Sequence, residues 1–123
     1  MKACPELNSP RSVLIIDNSA ESREVFRTVL STRGIELLEA SNARQGLEML
    51  REHHPRVVVL DLEAQQADDE MLRDEYDHES ASQQASLVIL GTARRYDAAL
   101  PKDRVVPKPY HYGPVIRTIE RLL

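Results

Sequence analysis

The sequence is poor in residue types that several protein classes require. Its 123 residues include one cysteine, one phenylalanine, four glycines and no tryptophan. A single cysteine cannot build a disulfide framework or a zinc site, and four glycines are too few for a collagen-like chain. A chain of this length is typically one domain. We expect a flexible N-terminal arm over residues 1–11, with Cys4 as a bystander thiol, followed by one domain over residues 12–123.

Long apolar runs and an excess of positive charge are also missing. No run approaches the ~20 residues that a membrane helix needs, and the start of the chain lacks the apolar stretch of a signal peptide. The net charge of -4, from 16 basic and 20 acidic residues, argues against the basic surface of a nucleic-acid-binding protein. We therefore expect a cytoplasmic protein that engages neither membrane nor nucleic acid.

Short apolar runs alternate with amphipathic stretches along the chain. All-apolar runs are typical of strands buried on both faces, and they occur at residues 13–16, 57–60 and 87–90, with shorter strand candidates at 35–40 and 105–106. Ser19 and Asn42 are suited to capping the helices that follow the first two strands. Strands separated by helices form βαβ units. The pattern predicts an α/β, flavodoxin-like, doubly wound parallel sheet of five strands in the order 2-1-3-4-5.

The connection between the fourth and fifth predicted strands is unusually short. Residues 93–104 contain a proline at position 101 and approach the ~10–12 residue minimum for a whole crossover with its helix. A full helix does not fit there, so the fourth helix of the fold is predicted to be shortened. An amphipathic last helix is predicted after residue 111.

Acidic residues terminate two of the predicted strands at the point where the winding of the sheet reverses. Asp17 follows the first strand and Asp61 follows the third, and ligands of such sheets bind at that point. Two carboxylates there favour a hard cation such as Mg²⁺. Thr92 and Lys108 follow strands four and five at the same edge. An aspartate can attack a phosphoryl group, while a metal, Lys108 and Thr92 would neutralise and bind its oxygens.

Four sequence blocks in this order resemble the receiver domain of two-component response regulators, of the CheY-like superfamily. They are residues 13–18, 57–61, 92–93 and 108–110, and the resemblance covers about residues 12–123. It implies that Asp61 is the phosphoacceptor, Asp17 a surviving acid of the metal site, Thr92 the switch hydroxyl and Lys108 the family's lysine. It also implies no enzyme activity of its own, a sensor histidine kinase or phosphotransfer protein as phosphoryl donor with Mg²⁺, and an unknown output partner.

The sequence departs from the family pattern at positions that bear on the metal. Asn18 stands where the family usually supplies a second carboxylate, so we expect Mg²⁺ to bind weakly, with Asp17, Asn18, Asp61 and Glu63 as candidate ligands. Glu63 would either help to hold the metal or repel a phosphoryl group. Val105 stands where the family usually has an aromatic ring that turns inward.

Two functional hypotheses follow from these residues. The first is a receiver that is switched on by phosphorylation at Asp61. The second is a pseudo-receiver, a protein-protein interaction module that keeps the fold and acts without phosphorylation. A flavin carrier of similar fold is disfavoured, because the loop after the first strand is acidic where a flavin phosphate needs backbone amides.

Overall fold

Strands and helices alternate from the start of the described chain to its end. The computed structural model describes residues 11–64, 70–91, 105–106 and 112–123. These form β1 (Ser12–Ile16), α1 (Ala20–Ser31), β2 (Glu36–Ala40), α2 (Ala43–His53), β3 (Val57–Asp61), α3 (Glu70–Gln83), β4 (Ser86–Leu90), β5 (Val105–Val106) and α4 (Tyr112–Leu122). Across these ranges no helix combines the length and the apolar character that crossing a membrane requires.

The strands form one parallel sheet, and the predicted parallel α/β class is confirmed. Their order is β2-β1-β3-β4-β5, and every neighbouring pair runs parallel. The chain therefore winds outward in opposite directions from β1 and β3. The predicted N-terminal arm and the predicted shortened helix over residues 93–104 lie outside the described residues, apart from residue 11.

Two side chains set the starts of the first two helices, as their positions in the sequence predicted. Oγ of Ser19 accepts a hydrogen bond from the backbone N–H of Ser22 at 3.2 Å. Oδ1 of Asn42 accepts one from the N–H of Gln45 at 2.8 Å. Each cap satisfies a backbone donor that the helix itself leaves without a partner. Only three residues therefore separate the end of β1 from the start of α1.

Alternate strand residues build two apolar layers, one on each face of the sheet. One layer packs against α2 and α3, and the other packs against α1 and α4. The strands contribute Leu14, Ile16, Val58, Leu60, Leu87 and Ile89 to the first layer, and Val13, Ile15, Val57, Val59, Val88 and Leu90 to the second. Because both faces are covered, the central strands are apolar throughout, as the sequence runs indicated.

A glycine lets α2 approach the sheet and α3 closely. A Cβ atom on Gly46 would collide with the side chains of Ile16 and Tyr76. The Tyr76 hydroxyl, on α3, donates to the carbonyl of Ala43 at 2.6 Å, and burial raises the pKa of Tyr76 above its ordinary value. The hydroxyl thus remains a neutral donor that fixes α3 against the start of α2.

Candidate functional site

Two acidic side chains are buried at the carboxyl ends of neighbouring strands. Asp17 follows β1 directly and Asp61 is the last residue of β3, and each is 2% exposed. Ile16 and Leu60 are partners in the register of β1 and β3, so the residues that follow them lie side by side on strands about 4.8 Å apart. The structure thus brings together the two acids that the sequence predicted at this edge.

A hydrogen bond of the same kind, from a backbone N–H, orients each of the two carboxylates. Oδ1 of Asp17 accepts a hydrogen bond from the N–H of Ser19 at 2.9 Å, and Oδ1 of Asp61 accepts one from the N–H of Glu63 at 2.9 Å. This bond to the amide two residues ahead is the Asx turn, which directs the chain out of the strand. A second hydrogen bond stabilises the turn after Asp61, in which the N–H of Ala64 donates to the Asp61 carbonyl at 2.9 Å.

The paired carboxylates suit a small divalent cation with oxygen ligands. Two buried negative charges side by side cost free energy that a nearby positive charge offsets. Within the described ranges, no three His, Cys, Asp or Glu side chains are grouped so that they could hold a metal ion. Mg²⁺ does not need such a cage, because it is commonly bound through one or two carboxylates, with water and phosphate oxygens completing its shell. The donor set of Asp17 and Asp61 fits that mode of binding.

Of the other predicted site residues, only Asn18 and Glu63 are described by the structure, and neither is buried. Asn18 is exposed, next to Asp17 in the chain, and the side chain of Glu63 is exposed while its backbone N–H binds Asp61. Thr92 and Lys108 lie outside the described residues, as does the side chain of Val105. The neighbourhood of the two aspartates is therefore observed, and the roles of Asn18, Glu63, Thr92 and Lys108 stay predictions.

A close contact joins Leu62, directly after β3, to the end of β4, and the sequence analysis missed it. The N–H of Leu62 donates to the carbonyl of Leu90 at 2.9 Å. Gly91 has a φ of +146°, and a Cβ atom on it would lie 3.0 Å from Cβ of Leu62 and 3.1 Å from its Cδ1. A glycine directly after a buried strand signals such an approach of two backbones. Gly91 thus allows the end of β4 to lie close to Leu62, the residue that follows Asp61.

Arg23 and Arg27 on α1 form a charged cluster with Glu39 on β2, next to the Asp17 loop. The sequence analysis missed this cluster too. Nη1 of Arg23 donates to the Asp17 carbonyl at 2.6 Å, and Nε of Arg23 lies 3.4 Å from Oε1 of Glu39. Arg27 binds the same carboxylate through Nε at 2.7 Å and Nη2 at 3.1 Å. The hydrogen bond from Arg27 lowers the pKa of Glu39, with burial acting in the opposite direction.

A family model and several known proteins match the sequence. Residues 13–98 match the family described as the response regulator receiver domain. The chain is 42% identical over 65 residues to the sensor histidine kinase CheAY of Helicobacter pylori, a match that covers 50% of this chain and 8% of that protein. It is 28% identical over 54 residues to the polar-differentiation response regulator DivK of Brucella anthropi, covering 44% of each. The chain thus spans less than half the length of these curated relatives.

Solved structures share the fold at low sequence identity. A response regulator signal receiver domain from Bermanella marisrubri superposes with a TM-score of 0.74 at 16% identity, covering 91% of this chain and 97% of that one. The chemotaxis response regulator CheY4 of Vibrio cholerae gives a TM-score of 0.67 at 17% identity, covering 91% and 98%. Likeness at this level of identity supports the fold alone.

Substituting Gly91 tests whether its contact with Leu62 is tight. We expect Gly91→Ala to lower the free energy of unfolding by about 1–3 kcal/mol, because the new methyl group presses on Leu62 and the backbone lies where side chains are rarely accommodated. Urea unfolding measures the change. Gly113→Ala is the matched control, since its Cβ would meet only Nη1 of Arg117, at 3.6 Å. Equal effects of the two substitutions would contradict the tight contact.

Proposed function

The chain belongs to the response regulator receiver domain family, and from that premise we propose that it is a phosphoaccepting switch of two-component signalling with Asp61 as the acceptor. The observation that carries the proposal is the buried pair of Asp17 and Asp61 at the carboxyl ends of neighbouring strands. If Asp17 and Asp61 served only to end their strands, burying two like charges side by side would destabilise the fold, with nothing to offset the cost. In a site that binds a cation and a phosphoryl group, both carboxylates have a function.

The proposed chemistry is a transfer of one phosphoryl group to a carboxylate. A carboxylate oxygen of Asp61 attacks the phosphorus of a phosphorylated histidine and forms an O–P bond. The P–N bond breaks, its electron pair leaves with the imidazole nitrogen, and that nitrogen takes up a proton. The product on Asp61 is an acyl phosphate. Because the carboxylate nucleophile gives up no proton, the step requires positioning and charge neutralisation rather than a general base.

Different residues of this chain supply the nucleophile, the metal ligands and the groups that bind the phosphoryl oxygens. Asp61 is held by the N–H of Glu63 and supplies the nucleophile, while Asp17 lies beside it as the second oxygen donor. Asp17, Asp61 and, by family resemblance, Asn18 would hold Mg²⁺, which supplies positive charge to the phosphoryl oxygens when bound. The side chain of Glu63 is long enough to reach the same site, where it would either help to hold the metal or repel the phosphoryl group. By the same resemblance, Lys108 pairs with one phosphoryl oxygen and Thr92 donates a hydrogen bond to another.

The proposal includes partners of two kinds, and it places the transfer in the cytoplasm. The phosphoryl donor is a sensor histidine kinase or a phosphotransfer protein, and the phosphorylated form binds an output partner with changed affinity. Support comes from the relatives, which include a sensor histidine kinase and a polar-differentiation response regulator. The chain itself acts as acceptor and switch rather than as an enzyme.

One observation favours a second candidate function, the phosphorylation-independent pseudo-receiver. Asn18 provides an amide where the family has a carboxylate, and its side chain is exposed. The site therefore carries one negative charge fewer, and Mg²⁺ is held less tightly. A pseudo-receiver would bind its partner through the folded domain alone, and Asp61→Asn would leave that binding intact.

Acetyl phosphate tests the proposed acceptor directly. With millimolar Mg²⁺, we expect the intact mass of the chain to rise by one phosphoryl group, and we expect no rise in Asp61→Asn. Asp74→Asn is the matched control, because Asp74 is an exposed acid on α3 and its loss should leave the labelling unchanged. No labelling of the unsubstituted chain would replace the proposal with the pseudo-receiver, and labelling that survives in Asp61→Asn would move the acceptor elsewhere.

Restoring the missing carboxylate tests whether Asn18 weakens the metal site. We expect Asn18→Asp to tighten Mg²⁺ binding by about tenfold, or about 1.4 kcal/mol, as measured by titration calorimetry. Without Mg²⁺ the same variant should melt at a lower temperature, because a third acid crowds Asp17 and Asp61. Ser82→Asp adds the same charge at an exposed position near the end of α3 and should leave the Mg²⁺ affinity unchanged. Equal Mg²⁺ affinity in Asn18→Asp and the unsubstituted chain would refute the idea.

A further inference from the structure

Arg23 holds the loop between β1 and α1 through two hydrogen bonds, one from its backbone and one from its side chain. Its backbone N–H donates to the carbonyl of Ser19 at 3.1 Å, as the first turn of α1 requires. Its guanidinium reaches back past that turn, and Nη1 donates to the carbonyl of Asp17 at 2.6 Å. A hydrogen bond from a charged donor at this distance is short and strong compared with one between neutral groups. Residues 17–19 are thus tied to α1 through both the main chain and a side chain of Arg23.

The bond from Arg23 completes the set of contacts that hold the backbone of Asp17. The N–H of Asp17 donates to the carbonyl of Ala40 at 3.0 Å, and its carboxylate accepts from the N–H of Ser19 at 2.9 Å. The peptide group on each side of the Asp17 Cα atom therefore has a hydrogen-bonding partner, and so does the side chain. Rotating the backbone at this position would break at least one of these bonds.

Arg23 is itself held in place by the neighbouring strand. Oε1 of Glu39, on β2, lies 3.4 Å from Nε of Arg23, whose side chain is 20% exposed. Arg27 holds the same carboxylate and is 54% exposed. Because the hydrogen bond from Arg27 lowers the pKa of Glu39, the carboxylate stays ionised at neutral pH and remains a partner for both arginines. The guanidinium of Arg23 is thus held between β2 and the Asp17 loop.

We infer that Arg23 is a positioning residue, which fixes the carboxylate of Asp17 beside Asp61 and so sets the affinity of the site for a divalent cation. The inference rests on the proposed function for its link to Mg²⁺. Arg23 is proposed neither as a ligand of the metal nor as a partner of the phosphoryl group. It acts through the backbone of Asp17, and it brings a fixed positive charge to a loop whose acid lies beside a second buried acid.

The chain offers a matched pair of substitutions, Arg23→Met and Arg27→Met. Both remove one positive charge from α1 and one partner of Glu39, and only the first removes the donor to the Asp17 carbonyl. In the metal-free protein, we expect the Ser19 amide to exchange with solvent about tenfold faster in Arg23→Met, as loss of a charge-assisted bond predicts. The same amide should be unchanged in Arg27→Met. Hydrogen exchange followed by NMR measures both.

Mg²⁺ titration of the same variants gives the second readout. We expect the dissociation constant to rise about five- to tenfold in Arg23→Met and to stay within about twofold in Arg27→Met. Arg23→Lys, which keeps the charge and a donor, should recover most of the Mg²⁺ affinity and of the Ser19 protection. If Arg23→Met fails to fold, Arg23→Gln carries the same expectations.

Failure of the inference and failure of the proposed function give different results. If Arg23→Met and Arg27→Met behave alike in both measurements, Arg23 serves only the ion pair with Glu39 and the inference is overturned. If the unsubstituted chain binds no Mg²⁺, the metal-dependent function is wrong, and the metal-free exchange of Ser19 still decides whether Arg23 positions Asp17.

Discussion

The pairing of β1 with β3 is the constraint on which the site depends. With Ile16 opposite Leu60, the two strands end together and Asp17 and Asp61 emerge side by side. A slip of one residue along the strand would turn every buried side chain into the opposite apolar layer, where its shape would not match the close packing, so side-chain packing in the two layers enforces this register. The hydrophobic effect thus supplies the free energy that holds two like charges together. The position of the carboxylates is a consequence of packing that lies outside the site itself.

The loops convert the paired strand ends into an oriented site. Each aspartate is turned by the amide two residues ahead of it, and each loop is then held by a contact from another part of the chain. Arg23 holds the first loop through the Asp17 carbonyl, and Gly91 packs against Leu62 in the second. This division suits phosphoryl transfer, which needs exact placement of charge and little acid-base chemistry.

The features that sequence predicts well here are local. The apolar runs gave the central strands, and Ser19 and Asn42 marked the starts of α1 and α2 because capping depends on residues three apart. The acids at the strand ends could also be predicted locally, because each directly follows an apolar run. Arg23 was not identified, because its target is a backbone carbonyl that any residue carries. Glu63 was predicted from the reach of its side chain, yet the contact observed with Asp61 is made by its backbone N–H, which no residue type reveals.

We propose that the paired ends of β1 and β3 form one divalent cation site, and binding of Mn²⁺ would show this site. Mn²⁺ prefers the same oxygen ligands as Mg²⁺ and broadens the NMR signals of nearby amides. At low occupancy, we predict that broadening appears first at Asp17 to Ser19 and at Asp61 to Glu63, then at Gly91, and that added Mg²⁺ reverses it. Broadening centred instead on the acid-rich helix α3, or spread evenly over the surface acids, would show that the paired strand ends are not the cation site.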